Sequence, residues 1–391
     1  MWQAAAGVRI CILYDCLFPY TVGGAERWYR TLAQRLAADG HEVTYVTLRQ
    51  WDRGERGEVP GVRVVAAGPR MALYRGAGQR RILPPLVFGA GVLWHLLRHG
   101  REYDVVHTAS FPYFSLLAAG LVRRVRGFRL VVDWFELWSR RYWRDYLGGL
   151  GGRVGWAVQA ACLRVPQRAF CFARLTAARL RAEGVRGPVT ALEGMYTGPL
   201  TGPAPLPAEP VVVFAGRHIP EKRAPAVVRA VGHARERLPE LRGLVLGDGP
   251  ERAAVLAAIE AGALQDVVEA PGFVPTEDVE TALARALCLL LPSSREGYGL
   301  VVVEASAAGT PSIVVRGEDN AATELVEDGV NGFVAPSADP AALADAIVRV
   351  HAAGGALRAS TAEWFAANAG RLSLGSSLAR VAASYAASAR S

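Results

Sequence analysis

Apolar and polar positions along this chain change period repeatedly. Residues 8–14 read Val-Arg-Ile-Cys-Ile-Leu-Tyr, a nearly continuous apolar run of strand length, and a Pro/Gly-rich loop follows over 18–24. Residues 25–38 switch to a helical period, with Trp28, Leu32 and Leu36 on one face, and Gly40 marks the stop. Further short strands are predicted at 42–48, 62–66, 105–107 and 130–132, with helical segments between them. A second series predicts strands at 211–215, 243–246, near 267, and at 287–291, 312–315 and 332–334, with helices at 225–237 and 251–261. Ala-rich helices close the chain, with Trp364 and Tyr385 as their bulky anchors. Buried-type strands alternating with helices predict parallel sheets covered on both faces.

Between the two series, residues 198–210 hold five prolines in thirteen positions and can propagate neither helix nor sheet. The expected architecture is therefore α/β, with two Rossmann-like, doubly wound parallel-sheet domains facing each other across a cleft. The first spans 1–197, the linker 198–210 and the second 211–369, with a C-terminal helix, about 370–391, packing back onto the first. No repeat of 20–50 residues interrupts this plan. In such folds ligands bind beyond the carboxyl ends of the strands, so the loops that follow strands carry the chemistry.

Composition agrees with a globular chain too long for one core: 391 residues, 51% apolar and 20% charged. The longest apolar run, 82–97, contains Pro84, Pro85 and His95 and falls short of the roughly 18 residues that suggest a membrane span. A buried or interfacial helix is expected there. The N-terminal residues lack the pattern of a secretory leader, so a cytoplasmic location is expected. Cys11, Cys16, Cys162, Cys171 and Cys288 lie in or beside apolar segments without metal-type spacing and read as reduced core thiols.

Charge changes the picture more. Residues 1–200 carry 28 Arg against 14 Asp and Glu, whereas residues 201–391 carry 16 Lys and Arg against 22. A basic first half beside an acidic second half suits different partners: an anionic acceptor or weak association with an anionic membrane for the first, or simple solubility. Nothing suggests nucleic acid. Only one lysine stands among the basic residues, Lys222. Lys and Arg differ most where a compact point charge must meet phosphate, so this position draws attention before any motif does.

Four loops after strands stand out. Residues 19–26 place Gly23 and Gly24 at the opening of a helix, where backbone can approach an anion and free N–H groups can receive it. Residues 216–222, Gly-Arg-His-Ile-Pro-Glu-Lys, set Arg217 and Lys222 across a turn before a helix, a planar fork and a point charge suited to a diphosphate. Residues 294–304 put Glu296 before Gly-Tyr-Gly and Glu304 eight positions on, with apolar 300–303 between them, a spacing read as two helical turns. Carboxylates there can accept hydrogen bonds from sugar or ribose hydroxyls. The fourth loop, 247–252, is Gly-Asp-Gly-Pro-Glu-Arg; Arg252 replaces the third glycine of a nicotinamide loop, so it reads as a structural turn. Beyond it, Gly272-Phe-Val274 offers a backbone contact to a nucleobase.

Together these elements resemble the GT-B glycosyltransferases of family 4. The resemblance rests on Gly23-Gly24-Ala25-Glu26, Arg217-x4-Lys222, the Gly247-Asp-Gly-Pro turn, Glu296-x7-Glu304 and the Gly329-Val-Asn-Gly-Phe turn, and it covers most of the chain. It implies that Gly24 meets donor phosphate and that Arg217 and Lys222 neutralise the diphosphate leaving group. It also implies that Glu296 binds sugar hydroxyls beside the N–H groups of Tyr298, Gly299 and Leu300, and that Glu304 holds the ribose. Transfer would retain the anomeric configuration and need no metal; no two aspartates are spaced Asp-x-Asp. No cofactor is expected, since the UDP- or GDP-linked sugar is a co-substrate. One departure concerns the acceptor side: Phe135 stands where family members often have His, leaving His107, Asp133 and Glu136 as candidates. Aromatic and basic loops over 134–144 suit an acceptor pocket or plain core packing.

The expected acceptor is a small molecule, such as an antibiotic precursor in secondary metabolism. A peripheral-membrane enzyme acting on a lipid or polysaccharide precursor is the alternative. A nucleotide-sugar epimerase, a nicotinamide-dependent dehydrogenase and a catalytically silent nucleotide-sugar-binding protein remain rivals.

Overall fold

The computed structural model describes residues 7–386 except 22, 53, 74–80 and 203–204. Val22, part of the linker and the last residues of the predicted C-terminal helix thus lie outside the described residues. The chain separates into two compact units, Met1–Leu192 with Leu378–Ser391, and Glu193–Ser377.

Unit 1 runs β1 (Arg9–Leu13), α1 (Gly24–Ala38), β2 (Glu42–Thr47), β3 (Arg63–Ala66), α2 (Leu83–His99), β4 (Val105–Ala109), α3 (Phe114–Arg126), β5 (Arg129–Trp134), α4 (Arg140–Arg164), β6 (Arg168–Cys171), α5 (Arg174–Ala182) and β7 (Val189–Ala191). Its sheet has the order β3-β2-β1-β4-β5-β6-β7 with all ladders parallel. The central strands are buried on both faces, which is why they read as apolar runs rather than alternations. The residue pattern does not announce β6 or β7, because each is too short, at four and three residues, to show a period. Helix α4 breaks at Gly148, whose φ of 76° a residue with a Cβ would hold only with strain.

Unit 2 continues with β8 (Val211–Ala215), α6 (Ala224–Ala234), β9 (Arg242–Leu246), α7 (Arg252–Ala261), β10 (Val268–Gly272), α8 (Thr276–Arg285), β11 (Cys288–Leu291), β12 (Arg295–Glu296), α9 (Leu300–Ala307), β13 (Ser312–Val315), β14 (Asp319–Asn320), β15 (Gly332–Ala335) and α10 (Pro340–Leu372). Its parallel sheet has the order β10-β9-β8-β11-β13-β15, and β12 pairs separately with β14. Helix α11 (Leu374–Ala386) ends the described chain. Two doubly wound α/β units are thus present. In each, the strand order reverses beside the first strand, between β1 and β4 and between β8 and β11, and ligands bind in this fold class at such a reversal.

The C-terminal anchors differ from expectation in one residue. Tyr385 is fully buried, but Trp364 is half-exposed and its neighbour Phe365 fills the core instead. Adjacent aromatics on a helix point about 100° apart, so only one can face inward. All five cysteines are buried and none forms a disulfide, and burial pushes the thiols of Cys11, Cys162 and Cys288 well above their usual range. They are core residues.

Candidate functional site

In unit 2 three loops meet beyond the carboxyl ends of β8, β9 and β11. The loop after β8 closes in a short 3-10 turn, Pro220–Lys222, and Arg223 then adopts a left-handed conformation to start α6. This loop is tied to the one after β9: Gly216 N–H donates to Leu246 O, His218 N–H to Asp248 O, and Glu251 N–H to His218 O. A Cβ at Gly247 would lie 1.9 Å from Gly216 O, and one at Gly249 2.5 Å from His218 O. The Gly-Asp-Gly-Pro segment is therefore a brace whose glycines allow backbone to press against backbone. The loop after β11 is tied on as well, through Ser294 N–H donating to Glu221 O at 2.8 Å.

This lacing brings Lys222 and Glu296, 74 residues apart, to an Nζ–Oε1 distance of 2.5 Å. Glu296 is buried, and Ser293 Oγ donates to the same carboxylate oxygen at 2.7 Å. An ammonium has three donors. With one on Glu296, two remain for a ligand. Arg217 is exposed on the same loop.

Glu296 is not helical. It sits in β12, where it pairs with Asn320 of β14, and Asn320 is itself buried and donates to Ser293 O and Val315 O. The spacing of Glu296 to Glu304 is therefore not two helical turns. Gly299 takes φ 100°, where a Cβ would fall 2.7 Å from that of Ala322, and α9 begins only at Leu300. Glu304 lies one turn inside the helix and half-buried near Tyr196, whose hydroxyl burial and that carboxylate push upward in pKa. Tyr298 is buried and donates to Glu193 O at 2.6 Å. The α9 N-terminus, with its positive dipole end, begins four residues after Glu296. Val274 is half-buried after β10, beside Phe273, which is 86% exposed.

In unit 1, Gly23 caps α1 with extended backbone, and a Cβ there would collide with Glu26 Oε2 at 2.3 Å. Glu26 is buried and folds over the helix start. Gly24 opens onto free space, with nothing within 4 Å of an added Cβ.

The acceptor-side candidates separate sharply. His107 and Asp133 are both wholly buried, with His107 Nε2 2.9 Å from Asp133 Oδ1. Trp28 Nε1 donates to Asp133 Oδ2 at 2.7 Å, and the Tyr385 hydroxyl lies 2.5 Å from His107 Nδ1. These groups join α1, β4, β5 and α11 inside the core, and neither His107 nor Asp133 presents surface to a substrate. Phe135 stacks on Phe172 at 5.0 Å with rings 6° apart. Glu136 is half-buried and accepts from Trp138 Nε1 at 2.9 Å.

Beyond β4 and β5 the aromatic residues form one cluster. Trp138 contacts the rings of Phe111, Tyr142, Trp143 and Tyr146 at centroid distances of 4.7 to 6.4 Å. Gln159, buried beneath, accepts from Tyr113 and from Trp143 Nε1 and donates to Trp138 O. Sequence reasoning singled out the aromatics but missed Gln159, Ser293 and Asn320. No local signal marks these three; their role is to hold side chains that come from distant loops. Among the described residues, no group of three or more His, Cys, Asp or Glu is placed to hold a metal ion.

Comparison with known proteins adds to this geometry. The family profile described as Glycosyltransferase Family 4 matches residues 22–192, and that described as Glycosyl transferases group 1 matches residues 204–363. The chain is 30% identical over 141 residues to an alpha-D-kanosaminyltransferase of Streptomyces kanamyceticus, 36% of each chain. It is 38% identical over 108 residues to a 2-deoxystreptamine glucosyltransferase of the same organism, covering 27% of this chain and 28% of that one. These matches thus span about a third of the curated relatives' length. Among solved structures, sucrose-phosphate synthase from Thermosynechococcus elongatus superposes with a TM-score of 0.78 at 21% identity, covering 97% of this chain and 98% of that one. Anabaena HepE in complex with UDP superposes with a TM-score of 0.73 at 18% identity, covering 97% and 100%.

Proposed function

Because the chain belongs to the family-4 glycosyltransferases of GT-B fold, we propose that it transfers a sugar, with retention and without a metal, from a UDP- or GDP-sugar to a hydroxyl of a small-molecule acceptor. The observation that carries this reading is the Lys222–Glu296 pair beside the α9 N-terminus. Lys222 and Arg217 receive the diphosphate, and the charge that grows on it as the anomeric C–O bond breaks is met by groups already in place. Glu296 accepts from sugar hydroxyls, the N–H groups of Tyr298, Gly299 and Leu300 face the donor, and Glu304 holds the ribose. Val274 offers backbone to the base, and Gly24, open to free space, leaves room for phosphate, while the missing Cβ of Gly23 makes room for Glu26. UDP is the favoured nucleotide, since HepE was solved with UDP and UDP-glucose.

On the acceptor side Glu136 and the aromatic cluster around Trp138 recognise the acceptor, while His107 and Asp133 position the strands that carry them. Kanosaminyl- and 2-deoxystreptamine-type relatives support a polyhydroxylated ring from secondary metabolism. Relatives in colanic acid biosynthesis support a second reading, a membrane-borne saccharide precursor, which the exposed apolar and basic residues of unit 1 also favour.

The test is thermal unfolding with UDP, GDP, ADP, dTDP and NAD, each in excess, followed by acceptor-dependent release of nucleotide diphosphate in EDTA. A ligand at about 100 times its dissociation constant adds about 2.7 kcal/mol, a rise of roughly 5–10 °C for a unit of this size. A rise with UDP or GDP and EDTA-resistant release is expected. A rise with NAD alone, or activity abolished by EDTA, would remove the proposal.

A further inference from the structure

Helices α2 and α3 pack side by side in unit 1. A Cβ at Gly89 would lie 2.5 Å from that of Phe114, and further along the Arg126 guanidinium donates to Leu97 O, so the two helices run in the same direction. Their inner faces are buried through Phe88, Val92 and Leu96 on α2 and Leu116, Ala119 and Val122 on α3. Their outer faces are apolar too. Leu83, Leu86, Trp94 and Leu97 recur at helical spacing on α2 and are 40–60% exposed, and Leu121 and Val125 on α3 are 72% and 70% exposed. A soluble surface helix ordinarily turns polar residues outward, so this pair is apolar where water should be.

Arginines border the face. Arg98, Arg101 and Arg124 are exposed beside it, and the Arg98 guanidinium lies 3.9 Å above the Trp94 ring. Between residues 83 and 132 the acidic residues are Glu102 and Asp104, which pair with His99 and Arg9 at 2.8 Å. A two-fold pairing of this face with a second copy would set like charges against each other. Among the described residues no helix is long and apolar enough to cross a membrane. An aromatic and aliphatic stripe bordered by arginines suits the boundary between head groups and acyl chains, with positive charge meeting anionic lipid.

We propose that the α2–α3 face docks unit 1 on an anionic bilayer surface. The proposal goes beyond the donor chemistry, and its readout needs no substrate, so the two fail separately. The experiment is sedimentation of the full chain with phosphatidylcholine vesicles, with and without phosphatidylglycerol. Binding is expected only with phosphatidylglycerol, and it should weaken as salt shortens the range of the charges. Each arginine near an anionic surface is worth about fivefold in partitioning, so Arg98→Glu with Arg124→Glu should lower binding at least tenfold. Trp94→Ser with Leu121→Ser should also release the protein while leaving its thermal midpoint unchanged, since both side chains are exposed. Equal binding to pure phosphatidylcholine, or none to either vesicle, would overturn the proposal. So would a dimer in light scattering that the serine substitutions abolish, which would assign the face to a second copy.

Discussion

Units 1 and 2 share one winding scheme and differ in almost everything placed on it. Both are parallel sheets whose order reverses beside the first strand. Of the exposed large apolar residues among those described, twelve lie in unit 1 and four in unit 2. Unit 1 gathers His107, Asp133, Trp28 and Tyr385 in the middle of the core, where Trp28 bonds Asp133, Tyr385 bonds His107, and the His107 ring lies 2.9 Å from the Asp133 carboxylate. Unit 2 places Lys222 and Glu296 at the strand ends, where Lys222 keeps 23% of its side chain exposed and donors to spare. A similar combination of carboxylate and nitrogen donor is thus closed inside the core in one unit and left at the strand ends, partly exposed, in the other. Depth relative to the carboxyl ends of the strands decides which.

The largest expected effect separates the units by activity. Lys222→Ala should lower turnover by roughly 10²–10³, as removal of one preorganised charge does, in a protein that still folds but with a lowered thermal midpoint, because buried Glu296 loses its cation. Lys222→Arg should fail to restore it, because a fork cannot replace a point charge held 2.5 Å from Glu296. Steady-state nucleotide release checks both, and near-normal turnover would take Lys222 out of the mechanism. Asp133→Ala should show the converse, a loss of about 3 kcal/mol of stability with nucleotide-induced stabilisation retained, because Trp28 and His107 lose a buried partner. Chemical denaturation with and without UDP measures it. If donor binding vanished while stability held, Asp133 would belong to the site.

A smaller effect should appear with pH. His95 is buried against Tyr103, its Nε2 2.9 Å from the hydroxyl, and burial first, then His99 and Arg63, lowers its pKa to about 4. The unfolded chain takes up a proton near pH 6.5 that the folded unit accepts only near pH 4. Stability of unit 1 should therefore be unaffected above pH 6.5 and fall as pH drops through that window, by no more than about 3 kcal/mol. His95→Gln should flatten the slope. An unchanged pH dependence in that variant would assign the acid sensitivity elsewhere. The smallest effect is expected at Trp364→Ala, under about 1 kcal/mol, against several for Phe365→Ala, since only Phe365 is in the core.

Much of this was legible in the residues alone because it depends on local spacing. Strand and helix alternation, the proline-rich stretch after Gly198, the paired Gly23 and Gly24 and the solitary Lys222 are properties of a few neighbouring positions, and periodicity reports them directly. What local spacing cannot carry is which loops converge. The spacing from Glu296 to Glu304 suggested a continuous helix, yet pairing of β12 with β14 holds Glu296 outside it. His107 and Asp133 read as strand-end groups within reach of an acceptor, but α1 and α11 cover them, and burial of a polar side chain is set by elements distant in the chain. Gln159 and Asn320 carried no signal because each acts by satisfying donors and acceptors supplied by other segments. Residue types and their spacing specify the two wound units and the chemistry available to them. Which polar groups close on one another in the core, and which stay at the strand ends with bonds left to make, follows from long-range packing, because a buried polar group must find its partner wherever the fold brings one.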